Sequence, residues 1–370
     1  MVIESLELQN FRNYRSLTMA LHGGNTIIYG DNAQGKTNIL EAVYLCATSK
    51  SHKTGKDKDM ILFGEEEAHI KMLLRKRQVP YRIDIHLKKN KKKGIAINGV
   101  PIKKVTELPG LLNVVFFSPE DLSIVKNSPA ERRRFLDLEL CQLDKIYMYH
   151  LSNYNKVIFQ RNKLLKDIKF RSDLTSLLDA WDEQLIAYGR EVIRARKNFI
   201  EELEPIVERI HGEITGKKEK LKIIYEPDCS QELLERAVKE KRLEDIKTGS
   251  SGAGPHRDDM AFLVNDIDVR RYGSQGQQRT AALSLKMAEI ELVKKITKDK
   301  PILLLDDVLS ELDAGRQTNL LKFSEETQTL LTCTGLDDFI KTRFHIDQSI
   351  CIKNGSIDEG KNIVSGGNYG

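Results

Sequence analysis

Eight consecutive residues, Gly30-Asp31-Asn32-Ala33-Gln34-Gly35-Lys36-Thr37, satisfy the pattern G-x-x-x-x-G-K-[ST] at every fixed position. The pattern has a chemical reason. Gly30 and Gly35 permit the tight backbone path that turns successive N–H groups inward, onto phosphate oxygens. A helix opening near Lys36 adds the positive end of its dipole. Lys36 sets a point charge between β- and γ-phosphates, and the Thr37 hydroxyl is placed to ligate Mg²⁺. A second constellation supplies acids: Ile302 to Leu305 is an apolar run that ends in Asp306 and Asp307. Strands buried in open sheets deliver polar groups at their C-terminal ends, beside such a loop. Asp306 is then the acid on the Mg²⁺ side, and Asp307 orients or deprotonates the attacking water. Asp307 and Lys36 are the candidate catalytic residues of an ATP-hydrolysing site. The simpler alternative for the two acids is a pair of helix caps after a core strand.

These residues need elements to hold them. Thr26 to Tyr29 is a short apolar strand leading into the loop, and Ile39, Leu40, Val43 and Tyr44 then recur at helical spacing. A strand opens the chain at Val2 to Asn10, and His69 to Lys88 with Ile95 to Ile97 forms a meander with turns at Arg77-Gln78 and Asn90 to Gly94. Leu111 to Phe117 reads as a buried strand. The texture changes near Pro129. Tyr147, Leu151, Tyr154, Ile158, Arg161, Leu165 and Ile168 alternate spacings of four and three, as do Leu174 to Phe199. Two such runs predict a helical hairpin with a coiled-coil seam, each arm of ~25 residues reaching roughly 40 Å; two core helices packed side by side explain the same periodicity. Pro205 should bend or end the second helix. Gly249 to Pro255 reads as a flexible joint, after which strand and helix alternate again: Met260–Val264, Gln275–Ile296, Ile302–Leu305, Asp313–Ser324, Thr329–Cys333 and Ser349–Lys353. The expected architecture is α/β: one sheet built from both ends of the chain, interrupted by an inserted helical arm. The expected boundaries are 1–128 for the N-terminal part of the head, 129–248 for the arm, 249–360 for the C-terminal part of the head and 361–370 for a frayed tail.

Composition excludes several classes. No stretch approaches the ~18 uninterrupted apolar residues of a membrane span, and the N-terminus lacks a signal-peptide layout. The five cysteines are scattered and in no metal-ligand spacing, as expected of reduced thiols in a cytoplasmic protein. A net charge of +5 and a pI near 8.7 are compatible with nucleic-acid binding without demanding it. Lys88-Lys89-Asn90-Lys91-Lys92-Lys93 is the most basic turn, so Lys88, Lys89, Lys91, Lys92 and Lys93 are candidate phosphate contacts; an ordinary solvated hairpin turn is the plainer reading. Arg132-Arg133-Arg134 is a second basic cluster. No base-reading motif is present, so sequence-specific recognition is not expected.

Further segments choose among phosphate-loop proteins. Tyr272-Gly273-Ser274-Gln275-Gly276-Gln277-Gln278 precedes a long amphipathic helix, and Gly276 lies 30 residues before Asp306. The segment resembles the signature loop of ABC-type ATPases. There a serine hydroxyl, a glycine N–H and a helix N-terminus converge on the γ-phosphate of ATP held by another subunit. Ser310-Glu311-Leu312-Asp313 resembles the D-loop of the same proteins. Leu6-Glu7-Leu8-Gln9-Asn10-Phe11-Arg12-Asn13-Tyr14 is similar to the opening of the RecF family and its SMC-type relatives. Pro119-Glu120-Asp121-Leu122, Pro129 to Asp137 and Gly254-Pro255-His256-Arg257-Asp258-Asp259 resemble patterns particular to RecF.

The resemblance spans residues 2 to about 335 in family order. It implies an ABC-type P-loop ATPase head with a short helical arm, ATP and Mg²⁺ as cofactors, and a homodimer that forms with ATP. It also implies binding to double-stranded DNA beside single-strand gaps, work with the RecO and RecR proteins in loading recombinase, and a part in DNA repair, replication and the SOS response. By the same resemblance Arg12 contacts the nucleotide, while Ser274 and Gly276 serve ATP bound to the second subunit. A transporter would carry Glu at Asp307 and His near Thr334; their absence implies weak hydrolysis used as a timer. The nucleotide-binding subunit of an ABC transporter is the alternative.

Overall fold

The structure, a computed structural model, describes residues 1–335, 345–358 and 363–364. The chain divides into two compact units, 1–121 with 289–370, and 122–288.

The first unit opens with strands β1 (Val2–Phe11), β2 (Tyr14–Ala20) and β3 (Asn25–Tyr29), then helix α1 (Lys36–Thr48). The meander β4 (Glu67–Lys76), β5 (Val79–Lys88), β6 (Lys91–Ile97) and β7 (Val100–Pro101) follows, and then β8 (Val114–Phe117). Alternating burial along β4 is that of a sheet with one face covered: Ala68, Ile70, Met72 and Leu74 point into the core. The turn before β6 is shorter than the lysine run suggests, so Lys91 to Lys93 lie in the strand. β8 begins three residues later than the apolar run, after the left-handed Gly110.

The second unit holds α2 (Leu122–Lys126), α3 (Pro129–Leu143), α4 (Lys145–Ile168), α5 (Leu178–Ile214), β9 (Leu221–Glu226), α6 (Leu234–Thr248), β10 (Asp259–Val264), β11 (Ile267–Asp268), α7 (Val269–Tyr272) and most of α8 (Gln275–Thr297). Back in the first unit come β12 (Ile302–Asp306), α9 (Ala314–Ser324), β13 (Thr329–Cys333), β14 (Gln348–Lys353), β15 (Ser356–Ile357) and β16 (Ile363–Val364). Apart from that last strand, the expected frayed tail lies outside the described residues.

Two sheets build the first unit. One is antiparallel, in the order β2-β1-β4-β5-β6-β7; the other runs β15-β14-β3-β13-β12-β8, with β14, β3, β13, β12 and β8 parallel. The second sheet draws strands from both ends of the chain, as expected. Helix α1 packs on strands of both sheets, and ten of its 13 residues are buried. A helix apolar nearly all round belongs in a core.

In the second unit α4 packs on α5, but the two-helix seam is too narrow a description. α3, α6 and β9 also cover α5, so Asp182, Gly189 and Arg196 are buried beside the expected Leu185 and Val192. Pro205 does not end α5, which continues to Ile214. β10 belongs to a separate small sheet, β11-β10-β9, and not to the parallel one. The arm therefore closes on more chain than the span 129–248 assigned to it: β10, β11, α7 and the signature segment group with 122–288.

Two more expectations change for the same reason. Gly249 to Pro255 is a pinned loop rather than a flexible joint: Ser251, Ala253 and Pro255 are buried, and the N–H groups of Ser251 and Gly252 donate to Asn162 (2.7 Å) and Asp245 (2.8 Å). Arg132 is not a surface cation; it is buried and pairs with Asp259 at 2.5 Å. Arg133 donates to the Asp258 carbonyl at 2.7 Å. Buried guanidinium groups need such partners. Arg161 meets Asp182 and Asp245 at 2.6 and 2.7 Å, and Arg196 meets both Asp137 and Asp258 at 2.8 Å.

Candidate functional site

The phosphate loop joins β3 to α1, and its backbone is strained where phosphate binding requires it. Gly30 and Gly35 have φ of +148° and +107°, and Ala33 has +63°. A Cβ on Gly35 would stand 2.4 Å from the Asn13 amide, and one on Gly30 would stand 2.3 Å from the Ile352 carbonyl oxygen. Both conformation and packing therefore exclude larger residues. Asn13 also donates to the Gln34 carbonyl (2.9 Å) and accepts from Asn38 (2.8 Å), clamping the loop from β2's side. Lys36 is nearly buried and donates to the carbonyls of Gly30 (2.6 Å) and Asp31 (2.8 Å). An ammonium has three protons, so one remains for an anion over the loop. Asp31, Asn32 and Ala33 are exposed, while Gln34 and Gly35 are half-buried.

The strand β12 brings Asp306 to the same place. Its Oδ1 accepts from the Thr37 hydroxyl at 2.7 Å and from Thr332 at 2.8 Å. Thr37 and Asp306 thus converge, and the pair suits a hard divalent cation that takes its remaining oxygens from phosphate and water. A dedicated all-protein metal cage is absent among the described residues.

Asp307 diverges from Asp306 because its backbone turns into the left-handed region, φ +53°, at a cost of about 1–2 kcal/mol. Thr332 holds it there: its carbonyl and hydroxyl accept from the Asp307 N–H at 3.3 and 3.1 Å. Ser310 of the D-loop-like segment donates to the Asp307 carbonyl at 2.7 Å. Burial, and after it the neighbouring Asp306, push the Asp307 carboxyl above the ordinary aspartate range, with Lys36 and Ser310 acting the other way. Sequence reasoning misses Asn13 and Thr332 as site residues. Asn13 sits inside the RecF-like opening, which is the available signal; nothing local marks Thr332.

Arg12 is already engaged. Its Nε and Nη2 donate to both oxygens of Glu41 on α1 (2.7 and 2.6 Å), and its Nη1 donates to the Asp59 carbonyl (2.7 Å). Burial alone would raise the Glu41 carboxyl, but hydrogen bonds from Arg12 and Ser51 hold it below its usual value. Two of five guanidinium protons remain for a nucleotide.

The signature-like segment belongs to the second unit. Ser274 is the exposed N-terminal residue before α8, and it forms a capping box with Gln277: Oγ accepts from the Gln277 N–H at 3.2 Å, and Gln277 Oε1 accepts from the Ser274 N–H at 3.0 Å. Gly276 is exposed, with only Ser274 Oγ near a Cβ placed on it. The end of α8 thus combines a helix N-terminus with an exposed serine hydroxyl whose proton is not used by the cap, a chemistry that suits an anion.

The lysine turn is less available than its sequence suggests. Lys88 pairs with Glu67 directly opposite on β4 (3.0 Å), and Lys89 with Glu66 (2.8 Å). Lys93 is committed to Asp57 at 2.9 Å and to the Ser49 carbonyl at 2.5 Å. Lys91 and Lys92 are exposed and have no partner among the described residues. The Lys93 bonds bring beside them the loop 49–58, whose Lys50, Lys53, Lys56 and Lys58 are likewise exposed and unpaired among the described residues.

A family model, the RecF/RecN/SMC N terminal domain, matches residues 2–341. The DNA replication and repair protein RecF of Agathobacter rectalis is 57% identical over 358 residues, covering 97% of this chain and 99% of that protein. That of Lachnospira eligens is 56% identical over 359 residues, covering 96% and 99%. A solved structure of the recombination mediator protein RecF with ATP, in the RecFOR pathway, matches with a TM-score of 0.90 at 37% identity over 96% of each chain. An Smc head domain from Pyrococcus furiosus matches with a TM-score of 0.55 at 16% identity, a likeness of fold.

Proposed function

The chain belongs to the RecF family, with the ABC-type ATPase fold of its SMC-type relatives, and we propose that ATP switches it between a monomer and a DNA-clasping dimer in recombinational repair and replication restart. One observation carries this reading. Each copy holds a phosphate loop with its acids in the first unit and an exposed, serine-capped helix end in the second. Lys36 and the loop N–H groups bind the β- and γ-phosphates, and Thr37 with Asp306 would hold Mg²⁺, which supplies Lewis-acid stabilisation of the phosphoryl oxygens. Asp307, held apart by its left-handed backbone, takes the proton of the attacking water. Ser274 and Gly276 of the other copy grip the γ-phosphate, so hydrolysis dissolves the grip and times the dimer.

The DNA partner is double-stranded and gapped, bound without regard to base sequence, and recombinase loading proceeds with RecO and RecR in the cytoplasm. Lys91 and Lys92, joined by Lys50, Lys53, Lys56 and Lys58, are the preferred phosphate contacts; Lys88, Lys89 and Lys93 are not. A transporter subunit is not favoured, since the relatives are DNA replication and repair proteins.

Sedimentation with and without ATP and Mg²⁺, then with gapped DNA at rising salt, tests the proposal. Native protein should dimerise only with ATP. Ser274→Arg should bind nucleotide as a monomer yet fail to dimerise; a dimer from that variant sinks the two-copy site. Lys91→Glu with Lys92→Glu should weaken DNA binding and flatten its salt dependence, by a slope of roughly 0.9 for each phosphate that is no longer neutralised. Lys88→Glu should do less.

A further inference from the structure

The serine that caps α8 is anchored from beneath by a chain of polar contacts that the capping box itself does not need. Gln277 spends its side-chain oxygen and its backbone N–H on Ser274. Its remaining amide nitrogen donates to Glu219 Oε1 at 2.9 Å. The other Glu219 oxygen lies 3.3 Å from Nε2 of His211, a fully buried residue in the last turn of α5. The opposite ring nitrogen, Nδ1, stands 3.0 Å from Ser284 Oγ on α8. From there the contacts return up the helix: Ser284 donates to the Thr280 carbonyl and Thr280 to the Gly276 carbonyl, both at 2.7 Å.

We propose that Glu219 is a positioning residue for the signature loop, fixing Ser274 through Gln277 and tying it to the end of α5. The chemistry lies in the amide. A glutamine side chain can present either its oxygen or its NH₂ to Ser274, and only the oxygen completes the capping box. A carboxylate accepts and cannot donate, so Glu219 admits only the NH₂ and thereby turns the oxygen toward the Ser274 N–H. With the cap held, Ser274 Oγ is kept as the acceptor for Gln277, and its proton is left for a phosphate. The second Glu219 oxygen faces His211 at 3.3 Å, which places the carboxylate against the last turn of α5. An exposed turn adds little to the stability of the fold, so such anchoring has its value in geometry.

The inference rests on Ser274 serving ATP held by a second copy, and the experiment separates the two. Full-length Glu219→Ala, Glu219→Gln and Ser274→Arg are compared for monomer affinity for ATP, for ATP-driven dimerisation by sedimentation, and for Tm. Glu219→Ala should weaken dimerisation about five- to tenfold with monomer ATP affinity and Tm unchanged. Glu219→Gln can still turn an oxygen to Gln277 and should stay within about twofold of native. If Glu219→Ala dimerises as native while Ser274→Arg does not, the positioning role is wrong and the signature site stands. If Ser274→Arg also dimerises, both fall. A Glu219→Ala variant that loses Tm or monomer ATP affinity in step with dimerisation makes the residue merely structural and overturns the proposal, as does a Glu219→Gln variant that is as impaired as Glu219→Ala.

Discussion

The phosphate loop and the proposed signature loop of this protein are held in opposite ways. The phosphate loop of the first unit is fixed by backbone: three residues in the left-handed region, glycines whose faces touch Asn13 and Ile352, and a lysine folded back onto two carbonyls. The signature loop of the second unit is fixed by side chains: a reciprocal cap between Ser274 and Gln277, steadied by Glu219. Backbone strain is all-or-none, because no other residue fits. Side-chain bonds are adjustable, because a related group can make the same bond. The first arrangement suits a site that must always recognise triphosphate. The second suits the proposed grip on ATP of a second copy, made and released as a dimer forms and parts.

The largest expected effect lies at Asp307. Asp307→Asn keeps shape but removes the base, so ATP should still bind and hold the dimer while turnover falls by roughly two to four orders of magnitude. Asp306→Asn should instead weaken Mg²⁺-ATP binding itself. Single-turnover hydrolysis beside sedimentation distinguishes them, and normal hydrolysis by Asp307→Asn means that the roles are misassigned. The raised Asp307 carboxyl adds a pH signature. Turnover needs the carboxylate, so it should fail as pH drops through this elevated value, earlier than an exposed aspartate would protonate. An acid limb in the ordinary aspartate range contradicts the burial argument.

The next effect tests the strained loop. Gly35→Ala places a methyl group against the Asn13 amide at φ +107° and should cost more than about 1 kcal/mol, seen as a loss of ATP affinity of at least fivefold or so. Asn13→Ala would relieve the collision but not the strain, so the double variant should recover only in part. Full recovery assigns the restriction to packing alone. The smallest effect belongs to the adjustable loop. Ser274→Thr retains a capping hydroxyl and should leave ATP-driven dimerisation within about threefold of native, since threonine caps only slightly less well. If Ser274→Thr is as damaging as Gly35→Ala, the contrast between the two loops disappears.

Much of this is legible in the chain. A strand, eight loop residues and a helix encode the phosphate site because each fixed position answers a requirement of its own backbone: φ at Gly30 and Gly35, a charge at Lys36, a hydroxyl at Thr37. The acids at the end of Ile302–Leu305 follow from burial of an apolar strand. The spacing from Gly276 to Asp306 is what proposes Ser274 and Gly276 as a signature loop. Such features are local, and local sequence carries them.

What tertiary structure decided was partnership. Lys88 and Lys93 read alike in sequence, but strand register sets one opposite Glu67 and the other between Ser49 and Asp57. Arg132 begins a basic cluster, yet its helix turns it inward to Asp259, 127 residues away. The glycines and serines of Gly249 to Gly254 suggest looseness, while Asn162 and Asp245 bind them fast. Arg12 answers Glu41, and Gln277 answers Glu219, across turns and helices that no spacing rule connects. A residue's backbone requirement is written where it stands; the partner for its charge is chosen by the packing of elements distant in the chain, because a buried or half-buried charge takes whichever opposite group the completed fold brings within about 3 Å.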